Sequence, residues 1–466
     1  MGTDFSLSPT PIPTQIPMKH KKLILTVIDG LTPAMLETAV ERGSAPTLAR
    51  LLELGSYGQA VSVFPSLTPV CLSSIATGAF PEVHEIPHLV WYRQQEHRLV
   101  EYGSSFPAVR AAGIGQTLRD TLVNMNAEHL GQRAVTIFEA IEDAGLVTAA
   151  VNFTAYRGRV EHRSSLPLLG RARGPRRFFF YNLFESDETG APLSFRNRPA
   201  GSIDAYAAAV GRWLVTRDGF DFLLFYLSDY DYASHAHGPD AAFDVLRRCD
   251  DAIAALAESA GGLDEFLARY AVVVMADHGQ TLVRSVASLE ERFAGVAGTL
   301  VAASNRAGMV YRLPECRLEV AELARGLDGD AAIEVAMWRE GEEAVARRDG
   351  EELRFKPAGS SWELSGDAAI LDQPNALRRV WGALANPNAG ELLVSPASGV
   401  EFADLGGGDH LGGGSHGSLD AGDSLVPVVT VGLAGEARSI TDVAPLVLDH
   451  FGVERPPYAR RLEHAP

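Results

Sequence analysis

Three apolar runs constrain this chain more than any other feature. Residues 23–28 (LILTVI), 222–227 (FLLFYL) and 271–275 (AVVVM) show no alternation of polar and apolar side chains. Strands of that kind need cover on both faces. Helix-like stretches lie between them: 33–42 stops at Gly43, 46–54 stops at Gly55, and 241–260 follows the second run. Shorter runs at 60–63, 146–151 and 425–431 add strands, and 442–451 closes the chain as a helix. Strands spaced by helices predict an α/β fold, a mostly parallel sheet with helices on both faces. Ligands of such sheets bind beyond the carboxyl ends of the strands. Each of the three runs stops at acidic residues: Asp29, then Asp229 and Asp231, then Asp277 with His278.

From about residue 288 to 400 the pattern changes to shorter, more polar strands (GMVYRL, AAIEVAMWR, ELRFKP) with a helix at 319–327. The expected organisation is a core of residues 21–290 and 401–466, an α+β insert or cap at 291–400, and a Pro-, Ser- and Thr-rich flexible tail at 1–20. The net charge of −18 excludes bulk attraction to nucleic acid or an anionic membrane, so an anionic substrate must be captured by local positive charge. No run approaches eighteen apolar residues, and the first twenty lack an apolar signal core, so a cytoplasmic location is expected. Three scattered cysteines cannot build a disulfide framework or a cysteine metal cluster. Seven arginines crowd residues 157–177, either as a solvated surface loop or as a basic rim that steers an anion.

Four short stretches carry chemistry. In FPSLTPVCLSSIATG, Thr68 precedes Pro69 and a helical run that ends at Gly78, so Thr68 reads as a helix cap where the dipole favours a phosphate. In LSDYDYASHAHGP, Asp231 and His235 are four apart and share one helical face, a spacing that grips a metal ion. In VVVMADHG, Asp277 and His278 sit where a strand turns at Gly279, and GGGSHGS offers His416, with His410 in GGDHLG as a competitor. Plain capping and turn chemistry explains each stretch alone. Together they supply three carboxylates (Asp29, Asp231, Asp277), three imidazoles (His235, His278, His416) and the Thr68 hydroxyl. That inventory suits two divalent metal ions, zinc first and manganese as the alternative, each with an open position.

The order VIDG, FPSLTPVCLSSIATG, HEI, DYDYASHAHGP, ADHG and SHG resembles the alkaline phosphatase superfamily, in particular its type I phosphodiesterase and nucleotide pyrophosphatase branch. The resemblance implies a three-layer α/β/α sandwich. It implies one zinc on Asp29, Thr68, Asp277 and His278 and a second on Asp231, His235 and His416. It also implies that Thr68 attacks phosphorus and forms a covalent intermediate. Two departures stand out. The branch's FPNH is replaced by Pro69-Val70-Cys71-Leu72 after the nucleophile. Its phosphate-holding Asn falls near His88 or Leu89 in HEIPHLVWY. The sequence therefore keeps three readings open: hydrolysis of a small phosphodiester or nucleotide pyrophosphate, hydrolysis of a monoester or phosphonate at the same site, and non-catalytic metal or nucleotide binding. Trp91, Tyr92 and Phe153 offer flat faces for a base or another leaving group, and core packing accounts for them equally.

Overall fold

The computed structural model describes residues 20–104, 106–166, 169–181, 183–186, 202–403 and 409–459, so all of the 1–20 tail except His20 lies outside the described residues. Its centre is an eight-stranded sheet: β1 (Lys22–Ile28), β2 (Ser56–Val61), β3 (Thr148–Val151), β4 (Arg177–Phe180), β5 (Phe184–Ser186), β6 (Phe222–Leu227), β7 (Tyr270–Met275) and β8 (Leu425–Val431), in the order β2-β8-β7-β1-β6-β3-β4-β5. The five strands from β7 to β4 run parallel, while β8, β2 and β5 pair antiparallel at the two sides. Every residue of β6 and β7 is buried, which is why neither run alternates.

Helices cover both faces. Pro33–Glu41, Pro46–Leu54, Ile203–Thr216 and Phe243–Ser259 pack with one another on one side; Thr68–Thr77, Ile137–Asp143 and Val443–Phe451 do so on the other. Remote side chains complete some ends. Ala45 gives the Pro46–Leu54 helix no side-chain cap, and Asp250 instead accepts from Thr47 N (3.1 Å) and Leu48 N (2.7 Å).

The region after β7 builds a second, wholly antiparallel sheet of seven strands, in the order Thr299–Ser304, Ala307–Arg312, Leu392–Pro396, Ile333–Glu340, Glu343–Arg348, Glu351–Ala358, Ser361–Gly366. Its strands do alternate. Met309, Met337 and Leu393 join the main core, while Val310, Trp338, Leu392 and Val394 form a smaller core with Leu289, Phe293 and Leu323. The sheet is thus a packed layer against the main body.

Part of the arginine-rich segment is a hairpin, Val160–Arg163 paired with Arg171–Gly174, on which Arg163, Arg171 and Arg173 stand exposed. Arg159 binds Glu139 and Asp143, and Arg157 binds Glu139 and the Leu130 carbonyl, so neighbouring carboxylates and carbonyls take up these two charges.

One buried ion pair ties the second sheet to the main body. Arg306 follows the Thr299–Ser304 strand, is fully buried, and places Nη1 2.7 Å from Asp423 and Nη2 2.7 Å from Asp420. Arg306→Met leaves the Asp423 carboxylate buried without its partner, and should cost about 3–5 kcal/mol. Urea unfolding of the variant beside the parent measures this, and a loss below ~1 kcal/mol contradicts it.

Candidate metal centre

The three central strands deliver the acidic residues. Asp29 follows β1, and its N–H extends the ladder to the Leu227 carbonyl at 2.9 Å. Asp277 and His278 follow β7. Helix α2 (Asp229–His237) starts directly after β6 and sets Asp231 and His235 one turn apart. His416 arrives on the return from the second sheet, just past the short Gly414–Ser415 strand that pairs with Thr281–Leu282.

Helix α1 (Thr68–Thr77) corrects one expectation. Leu67, extended at φ −108° and ψ 139°, is the capping residue, and Thr68 is the first residue of the helix. The Val70 and Cys71 N–H groups bond the Leu67 carbonyl, and the Thr68 hydroxyl caps nothing. Its Oγ1 instead lies 3.0 Å from His278 Nε2.

The three imidazoles share one arrangement. Each Nδ1 donates to a backbone carbonyl: His235 to Gly414 (2.7 Å), His278 to Gly279 (3.1 Å) and His416 to Ser66 (2.8 Å). A carbonyl fixes each ring and commits Nδ1 as a donor, so Nε2 is the nitrogen left for a metal, once His235 has given up the proton it shares with Asp231. All three Nε2 atoms turn toward carboxylates: His278 to Asp29 (3.3 Å) and Asp277 (3.6 Å), His235 to Asp231 (3.2 Å), and His416 to Asp231 (3.9 Å). The His278 and His416 rings stack with centroids 3.6 Å apart. Two sets of donor atoms lie within 4.8 Å of one another, Asp29–Asp277–His278 and Asp231–His278–His416, so His278 stands between them.

Lone pairs that face buried carboxylate oxygens repel unless a cation lies between them. Asp29 Oδ1 and Asp277 Oδ2 are buried and accept no hydrogen bond. Burial pushes the Asp29 carboxyl far above its ordinary range, and the Asp231 charge adds to this; burial and then the Asp29 charge do the same to Asp277. Burial also opposes ionisation of Asp231, but the charge and hydrogen bond of His235 outweigh it and hold this carboxyl below the usual range. In return His235 is raised to about 9 by Asp231 against its own burial. Burial holds the His416 ring well below its ordinary range. Oxygen and nitrogen donors with orphaned atoms, in this mix, fit divalent cations.

Around these residues stand groups that sequence patterns did not single out. Tyr226 OH donates to Asp29 Oδ2, Gln280 Nε2 donates to Asp231 Oδ1, and Ser234 Oγ donates to Gln280 Oε1. Asn305 Nδ2 lies 3.3 Å from His416 Nε2. Tyr226 ends a buried strand and Asn305 turns a distant hairpin, so neither carried a local motif. His410 lies to one side, its ring tilted 30° against His235 with centroids 4.1 Å apart and its Nδ1 bound to Glu401 at 2.5 Å. Trp91 and Phe153 are buried and present no face to a ligand; Tyr92 packs edge-on against Tyr311.

The fold and this donor set define a metal-binding α/β hydrolase of the alkaline phosphatase superfamily. The family model for type I phosphodiesterase / nucleotide pyrophosphatase matches residues 23–419. The chain belongs to that family and is a phosphoric ester hydrolase. Solved structures share the fold. Phosphonoacetate hydrolase from Sinorhizobium meliloti 1021, in complex with phosphonoformate, is 18% identical, covers 93% of this chain and 97% of its own, and has a TM-score of 0.63. Murine ectonucleotide pyrophosphatase / phosphodiesterase 5, an inactive form in complex with AMP, is 14% identical over 94% and 96%, with a TM-score of 0.60. The human counterpart is 15% identical over the same shares, with a TM-score of 0.63. Among the described residues, no helix is long and apolar enough to cross a membrane.

Gly30 shows how tightly the centre is closed. Its φ is +71°, its N–H donates to Asp277 Oδ1 at 3.2 Å, and an added Cβ would lie 2.7 Å from Gln280 Nε2 and 2.9 Å from Asp231 Oδ1. Gly30→Ala should weaken divalent-metal binding roughly 10- to 100-fold by pushing the Asp231–Gln280 pair aside. Titration with zinc against a chelating dye measures it, and parental affinity in the variant refutes the account.

Proposed function

We propose that the chain hydrolyses small phosphodiesters or nucleotide pyrophosphates through a covalent phosphothreonine-type intermediate on Thr68, with two divalent metal ions, zinc first. Asp29, Thr68, Asp277 and His278 hold one ion in this reading, and Asp231, His235 and His416 the other. One observation carries the proposal. The Thr68 hydroxyl starts a helix and lies 3.0 Å from His278 Nε2, beside two buried carboxylate oxygens that nothing else satisfies.

When bound, the ions lower the pKa of the nucleophilic hydroxyl and of the hydrolytic water and offset charge on the phosphoryl oxygens. The chain's own residues do the rest. Asp29 and Asp277 hold their orientation through Tyr226 OH and through the N–H groups of Gly30 and His278. The amino end of α1 faces the pocket with its positive dipole, which suits an anionic phosphoryl group. Thr68 Oγ1 forms the new bond to phosphorus as the ester oxygen leaves with a proton. Water then cleaves the Thr68 ester, restores the hydroxyl and releases the phosphorylated product. Thr68 is only half-buried, which leaves it open to substrate.

Thr68→Ala should keep its metal and lose turnover by a factor on the order of 10³ or more. Metal analysis and hydrolysis of a nitrophenyl nucleotide diester test both halves, and an unchanged rate removes the nucleophile assignment. A second reading, a phosphonate or monoester substrate, has one observation in its favour. Trp91 and Phe153 are buried and cannot sandwich a base. Phosphonoacetate and a nitrophenyl monoester therefore belong in the same assay panel.

His235, Asp29 and Asp277 together set the pH dependence of metal loading. Asp231 raises His235 to about 9 against its burial, and burial raises both carboxyls, so a cation competes with protons at all three. Affinity should rise with pH, by about tenfold per unit for each proton displaced. Dye competition between pH 6 and 9 reads this, and an affinity that is flat over that window contradicts it.

A further inference from the structure

We infer that Asn305 is a substrate-binding residue whose side-chain amide donates a hydrogen bond to a phosphoryl oxygen at the Asp231–His235–His416 end of the pocket. The inference rests on the two-metal reading above. Asn305 sits in the turn between the Thr299–Ser304 and Ala307–Arg312 strands, in the left-handed region at φ 53°. Its position is fixed from several sides. Its carbonyl accepts from Phe402 N at 2.7 Å, and Arg306 N donates to the His416 carbonyl at 2.9 Å. His88 Nε2 donates to the Ala307 carbonyl at 3.2 Å, and the Arg306 guanidinium binds Asp420 and Asp423. The same turn therefore touches the chain on both sides of the metal-ligating ring.

The orientation of the amide follows from its partners. His416 Nδ1 donates to the Ser66 carbonyl, so Nε2 presents a lone pair and needs a donor opposite it. Asn305 Nδ2 fills that place at 3.3 Å, and Oδ1 accepts from Ser304 Oγ at 3.0 Å. The reverse orientation sets Oδ1 against a lone pair. A cation held by His416 Nε2 would take the lone pair that Asn305 Nδ2 now faces, and the amide would then need another acceptor. Asn305 is only 6% exposed, so an amide left there without an acceptor is costly. An oxygen of a phosphoryl group in the pocket is the acceptor that this arrangement lacks. A neutral amide suits the task, because it donates without competing with the metal for Asp231.

Asn305→Gly is the informative variant, since glycine accepts φ 53° without strain while the amide is deleted. Orthophosphate binding to the zinc-loaded protein, measured by calorimetry, should weaken roughly 10- to 100-fold, the loss of a hydrogen bond to a charged group. Zinc affinity should stay within about twofold of the parent, and kcat/KM for the best substrate of the panel should fall in parallel with phosphate affinity. Weakened zinc binding with parental phosphate affinity at saturating zinc would assign Asn305 to orienting His416 alone, and overturn the inference. If the glycine variant does not fold, Asn305→Asp carries the test: a carboxylate of the same shape must lose phosphate binding, and retention overturns the inference. A zinc-treated parent that binds no orthophosphate overturns the two-metal reading itself, and this inference with it.

Discussion

Asp29, Asp231 and Asp277 are buried in one pocket, and the rest of the site follows from the cost of keeping them there. Burial and neighbouring carboxylates raise the pKa of Asp29 and Asp277, and buried charge persists only when paired, hydrogen-bonded or bound to metal. The surrounding chain supplies hydrogen bonds from Tyr226, Gln280, Gly30 N and His278 N, none of which carries charge. Asp231 also pairs with His235 at 3.2 Å. His278 and His416 turn lone pairs inward because their Nδ1 atoms are committed to carbonyls. The polypeptide thus leaves a concentration of negative charge and lone pairs that a cation can neutralise, and local consistency gives way to function at this spot.

The sheet explains how residues so far apart in sequence meet. β7, β1 and β6 are adjacent and parallel, so their carboxyl ends stand in a row at about 4.8 Å spacing. Short side chains at those ends reach one another without any long reach by the backbone. β8 reverses direction beside β7, and the loop before it carries His416 back over the same edge. Covering both faces with helices keeps these strands largely apolar, and the acidic residues collect where the strands stop.

That division decides what was legible in the sequence. The apolar runs located β1, β6, β7 and β8 almost to the residue, because burial on both faces leaves little room for charged side chains. The motif residues next to those ends are brought into one pocket. The antiparallel layer after β7 was read as short polar strands, yet Ile333–Glu340 and Glu351–Ala358 are eight residues each; their alternation reflects a sheet with a core on each face. Residue preference puts the cap at Thr68, since Thr is a favoured capping residue and Leu a poor one, and only the extended backbone of Leu67 shows that the cap lies one position earlier. The carbonyls that orient the three imidazoles belong to Ser66, Gly279 and Gly414, and a backbone carbonyl has no signature in sequence.

Asp423 shows why the second sheet and the metal centre act as one body. Its carboxylate accepts from Arg306 in the hairpin turn, from Thr281 after the β7 exit, and from Ser418 beyond His416. Its carbonyl accepts from Gly279 N at 2.9 Å, next to His278. One buried acidic residue therefore connects the loop of His278, the loop of His416 and the turn of Asn305. A buried ion pair of this kind adds little net stability over apolar packing, and its best-attested service is to specify one arrangement among competing ones. Here the arrangement it specifies is the register between the antiparallel layer and the carboxyl ends of the parallel sheet. A shift of the second sheet by a fraction of an ångström would move Asn305 and the two imidazole loops together, so the layer after β7 controls the geometry of the centre as well as covering it.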